Sequence, residues 1–152
     1  MIVYDKEARV ESVFSCQLTY DTTIESGNIH SADYFGTASF VLNAVVADVE
    51  GNTFDVHLEE SDSGSGDWTD IAGDHNFTQV LADTTSTQKL LVDMGICKAH
   101  IRAVAVAVEG ETTFSLTVLG LASSVGDQTP TPLTVEQHWR IASGELISVV
   151  VE

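Results

Sequence analysis

Positive charge is what this chain has least of: six Lys and Arg stand against 23 Asp and Glu, a formal net charge of −17 over 152 residues. Binding nucleic acid through its phosphates needs a basic patch, and six dispersed cations do not make one. An anionic lipid surface repels the same acidic exterior. The acidity itself reads as solubility and resistance to non-specific association; in a high-salt setting, screening relieves the self-repulsion. Cysteine is scarcer still. Cys16 and Cys97 are the only two, with no Cys-x-x-Cys pair, so no disulfide framework is indicated. Cys16 is in phase with Phe14, Leu18 and Tyr20 and reads as a core thiol, and both cysteines read as reduced. No apolar run approaches the ~18–20 residues of a membrane-spanning helix. The opening MIVYDKEARV has acidic residues where a signal peptide has a basic stretch and an apolar core.

What is present is the period of a β-strand, many times over. Phe54, Val56 and Leu58 alternate with Asp55, His57 and Glu59, the pattern of a half-buried strand. The Ser, Gly and Asp residues of 61–67 are turn chemistry, and Trp68 opens a return strand over 68–72, its ring expected to pack across the hairpin into the core. Upstream, 10–20 sets Val10, Phe14, Cys16, Leu18 and Tyr20 on one face. The stretch 38–49 is apolar on both sides, as suits a central strand, and Glu50-Gly51-Asn52 reads as a hairpin turn into the strand at 54. A short strand at 77–81, a polar turn-like stretch at 83–87 and a strand at 89–92 follow. Two long strands, 99–108 and 112–121, are joined by Glu109-Gly110-Glu111. Seven to eight strands at short spacing predict an all-β fold, an antiparallel β-sandwich or jelly-roll-like domain over 1–124.

The composition changes after Ser123. Both prolines, Pro130 and Pro132, fall in a linker-like stretch that opposes sheet pairing. Thr134 and Gln137 have the spacing of a capping box opening a short helix over 135–142, and 146–151 is a β-branched strand. The segment 125–152 reads as a linker followed by one of two things: a final strand of the sandwich, or a C-terminal arm that docks on a neighbouring subunit.

Reactive constellations are thin. His30, His57, His75, His100 and His138 are scattered without H-x-H or H-E-x-x-H spacing, and His57 and His100 fall on polar strand faces, so no metal ligand is assigned. Glu60, Asp62, Asp67 and Asp70 offer a calcium alternative, though not in EF-hand order. There is no G-x-S-x-G elbow and no Cys beside a His in an electropositive setting. Gly64 and Gly66 sit in an acidic turn that repels phosphate. The chain reads as non-enzymatic, with no cofactor. Trp and Arg are over-represented at interface hot spots. The terminal segments, Tyr4 and Arg9 at one end and His138, Trp139, Arg140 and Ile147 at the other, are therefore the candidate partner contacts.

The successions FVLNAVVADVEGNTFDVHLEESDSGSGDWTDIAG and KLLVDMGICKAHIRAVAVAVEGETTFSLTVLGLAS resemble small virion proteins of tailed bacteriophages and related prophages. In that group a strand enters an "ESDDGS-W-DVA"-like hairpin, matched here by 58–72, and a "K-Y-R-V-V-G" strand pair follows, matched by 98–121. The resemblance covers about 22–123. His100 stands where an aromatic is usual, and the C-terminal extension has no counterpart in the pattern. The resemblance implies a capsid decoration, or cement, protein: made in the host cytoplasm, carried on the exterior of the head, binding the major capsid protein and, as a homotrimer, its own copies. A tail-tube or tail-tip component is the alternative within that group. A carbohydrate-binding β-sandwich module is the alternative outside it, and it needs exposed aromatics from a chain only 7% aromatic.

Overall fold

The alternating pattern resolves into eight antiparallel strands, with one 3-10 turn at Ser31–Asp33, among the residues that this computed structural model describes, 7–73 and 75–123. They are β1 (Ala8–Glu25), β2 (Ile29–His30), β3 (Tyr34–Val46), β4 (Thr53–Ser61), β5 (Thr69–Asp70), β6 (Val80–Leu81), β7 (Thr84–Asp93) and β8 (His100–Ala122). β8 is the spine. One side of it carries β1 and then β2; the other carries β4 along its first half and β3 along its second. β7 extends the sheet beyond β3, while β5 and β6 extend it beyond β4. The sheet curls into a half-barrel, a β-sandwich or jelly-roll-like form with the apolar core inside. Among the described residues, no helix is long and apolar enough to cross a membrane.

Three strand lines bend at one level. β1 passes Asp21, β8 passes Glu109 and Gly110, and the chain crosses from β3 to β4 through 47–52. Each crossing holds a residue with left-handed backbone: Asp21 at φ 39°, Gly51 at 84° and Glu109 at 62°. In β8 the core-facing positions are odd before the bend (Ile101, Ala103, Ala105, Ala107), with Val104 buried on the other face, and even after it (Thr112, Phe114, Leu116, Val118). One residue of slip reverses the side-chain phase, so both arms of the bent strand face the same interior. Phe54 of β4, paired beside the first arm, and Phe114 of the second arm meet with ring centroids 4.6 Å apart, and Phe14 of β1 meets Phe114 edge-on at 5.2 Å. Asn52 pins the corner: it is buried, and its Nδ2 donates to the Ala47 and Glu111 carbonyls at 3.1 and 3.2 Å. Gly110 lies against it, where a Cβ would fall on the Asn52 amide.

Several sequence expectations change here. The two segments expected over 99–121 are one bent strand, His100–Ala122, because Glu109 and Gly110 turn the chain without reversing it. For the same reason 50–52 is not a hairpin turn: β3 and β4 lie end to end along β8 and pair with it instead of each other. The polar stretch 83–87 is largely strand, since β7 pairs with β3 from Thr84 to Asp93. Cys16 is exposed, not a core thiol, and Val10, Leu18 and Tyr20 are exposed with it, leaving Phe14 alone of that set buried. The cause is a pair of register shifts in β1, between Ser12 and Phe14 and between Phe14 and Gln17. Each reverses the phase, so Val10 and Leu18 point outward on either side of an inward Phe14. The linker, helix and final strand or arm expected over 125–152 lie outside the described residues.

Candidate contact surface

Residues opposite one another in a ladder share a face, so the register defines what the convex side presents. Val10 of β1 lies opposite Leu119 of β8, Leu119 opposite Ser39 of β3, and Ser39 opposite Leu91 of β7. This row crosses four strands and leaves Val10, Leu119 and Leu91 at 68%, 42% and 55% exposure. The neighbouring row sets Ala8 against Leu121 and Leu121 against Phe35. The middle of the face is polar: Ser115, Asn43 and Thr87 are aligned, and the Thr87 hydroxyl donates to Asn43 Oδ1 at 2.8 Å. At the far end Leu18 and Val45 flank Thr113, and Tyr20 follows, all three large side chains exposed. Among the described residues β1 pairs only with β8 and β7 only with β3, so both outer strands present backbone groups at the sheet edges.

Of the candidate partner contacts, only Arg9 lies within the described residues. It is engaged inside the molecule: its Nη2 reaches Asp33 at 3.0 Å and Glu11 at 3.5 Å, and its guanidinium sits 5.4 Å from the Tyr34 ring centre. The Tyr34 hydroxyl donates to Glu11 at 3.0 Å, and burial pushes that phenol up to about 12. Arg9 therefore fastens β1 to the start of β3. Tyr4, His138, Trp139, Arg140 and Ile147 lie outside the described residues.

The acidic turn does not gather its carboxylates. Asp67 folds back over the loop, where the Ser61 and Ser63 hydroxyls donate to its Oδ1 and the Asp62 and Ser63 amides donate to its Oδ2. The two hydroxyl bonds, with the amides behind them, hold this carboxyl well below the usual range. Glu60 accepts from the Lys98 amide at 3.0 Å, and Asp70 lies across the hairpin beside His57. Trp68 is half-buried, not in the core: the Arg102 guanidinium lies 4.4 Å from its ring centre. Arg102 also bonds Glu59 at 2.6 Å and Glu25 at 2.7 Å, joining β8 to β4 and β1. One grouping escaped the sequence reading, that of His57, Glu59 and Asp70. Its members are 13 positions apart at most and match no spacing rule, because the register of a hairpin, not a motif, brings them together.

No family model and no curated protein matches the chain. Among solved structures it is similar to the chain in "Structure of infectious bursal disease virus Gx strain", with TM-score 0.48 and 11% identity over 82% of this chain and 33% of that one. It is also similar to the infectious bursal disease virus VP2 subviral particle, with TM-score 0.48 and 12% identity over 82% of this chain and 34% of the other. A third likeness is to Eiger TNF from S. frugiperda, at TM-score 0.31 and 12% identity over 66% of each chain. The chain spans about a third of the length of the two viral chains.

Proposed function

We propose that this is a non-enzymatic virion structural protein, a decoration or cement subunit that binds the major capsid protein and copies of itself on the outside of a phage head. The observation that carries the reading is the row of the convex face in which Val10, Leu119 and Leu91 stand exposed on three strands, with Ser39 of β3 between the last two. It accompanies a hairpin and strand succession that resembles small phage virion proteins. Exposed apolar side chains aligned on a rigid sheet mark a surface that another molecule covers. The occupant argued for is the shell lattice, since isolated copies carrying −17 each repel one another until a less acidic surface brings them together. Weak contacts repeated over a shell then sum by avidity. The test is decoration of purified shells in solution. The double variant Val10→Asp with Leu91→Asp should fold with a stability change within about 0.5 kcal/mol and fail to occupy shells. Full occupancy by that variant would refute the surface, and absence of the protein from purified particles by mass spectrometry would refute the role.

A further inference from the structure

We propose that His57, Glu59 and Asp70 form a binding site for a divalent transition-metal ion of the zinc class. His57 Nε2 is 3.6 Å from Glu59 Oε1 and 3.9 Å from Asp70 Oδ1, and the three ligand atoms all lie within 4.8 Å of one another. Both distances from the imidazole exceed hydrogen-bond length, so the groups converge without bonding. Ligands at about 2.0–2.2 Å on a tetrahedral ion stand about 3.3–3.6 Å apart. His57 stands at that spacing from Glu59 and within a few tenths of an ångström of it from Asp70, and the exposed Asp70 side leaves a fourth position open.

The backbone dictates the convergence. His57 and Glu59 are two apart on β4 and so share a face, and Asp70 on β5 is the register partner of Glu59. Glu59 is oriented from behind: Arg102 Nε donates to its Oε2 at 2.6 Å, while Oε1 is the oxygen nearest His57. Arg102 is itself held by Glu25 and by the Trp68 ring, an outer layer of the kind that fixes metal ligands. Charge favours a dication. Glu25, Glu59 and Asp70 against Arg102 leave two negative charges uncompensated among these side chains. One nitrogen and two oxygen donors suit zinc, whereas calcium takes oxygen ligands throughout. A bound ion would fasten the two-residue β5 to β4 at the mouth of the hairpin.

The experiment is calorimetric titration of the full chain with zinc chloride, paired with thermal melts. The wild-type chain takes up zinc, and its melting temperature rises with zinc concentration as mass action requires. His57→Ala and Asp70→Asn each weaken that uptake by at least about tenfold and abolish the rise, while circular dichroism stays that of the wild type because both side chains face outward. The double variant Cys16→Ser with Cys97→Ser, and separately His138→Ala, keep both responses, and equimolar calcium chloride does not displace zinc. Uptake unchanged in His57→Ala, or abolished by the cysteine or His138 variants, would overturn the site. Should His57→Ala fail to fold, Asp70→Asn at the more exposed position decides alone. The result is independent of whether the protein decorates a shell.

Discussion

At Asn52 the side-chain amide closes onto carbonyls from two strand lines, and the Gly110 position is kept bare to admit it. Asn52→Ala removes both donors from a buried corner and should cost about 1–3 kcal/mol, read as a lower urea midpoint at an unchanged slope. Asp67 gives a prediction in pH. Its folded-state pKa lies below the unfolded one, so the loop's stabilisation is complete above about pH 4 and is lost as the pH falls further. Asp67→Asn should therefore shrink the drop in melting temperature between neutral and acidic solution. The two thiols should separate chemically as well. Burial, with Glu60 and Asp93 adding to it, pushes Cys97 up to about 11, and its Sγ donates to the Asp93 carbonyl, whereas Cys16 is exposed. The thiolate is the reactive form, so iodoacetamide at mildly alkaline pH should modify Cys16 first, as peptide mass mapping would show.

Among the elements, the bend is the feature whose cost is open to measurement. Glu109 occupies a left-handed conformation that glycine adopts freely and β-branched residues resist. Glu109→Gly should leave stability unchanged or raise it, while Glu109→Val should lower it by about 1–3 kcal/mol; the order of the two in chemical denaturation is the check. The same bend shows what the sequence could and could not convey. Period-two patterning located the core of β4 in Phe54, Val56 and Leu58, the central place of β3, and the class of fold. It failed wherever the period slips. In β1 two bulges turned a run that looked inward into one facing out, and at Glu109 a phase reversal looked like a turn between partners. Trp68 was misplaced because nothing local announces that Arg102, 34 positions later, covers its ring. The apolar row Val10, Leu119 and Leu91 and the His57 grouping were illegible for a common reason: register, a long-range property, assembles both.

For the whole molecule, net charge sets a further expectation. Self-repulsion of −17 opposes the folded state and is screened within about 10 Å at 0.1 M salt. The melting temperature should accordingly climb when sodium chloride is raised from about 10 mM to about 0.5 M, and a flat response would mean that the acids are spread too widely to interact. A last consequence follows from β8, the strand that β1, β2, β3 and β4 all pair with. All four precede it in the chain; β3 can pair with β7, and β4 with β5 and β6, before β8 is made, but β1 and β2 pair with β8 alone. Ala8 waits for Leu121 and Ile29 waits for Ile101, so in chains halted before His100 the segment 8–30 should remain open to protease. The half-barrel closes in two stages, outer ladders first and β8 last, so non-local pairing onto β8 is the slow step of folding.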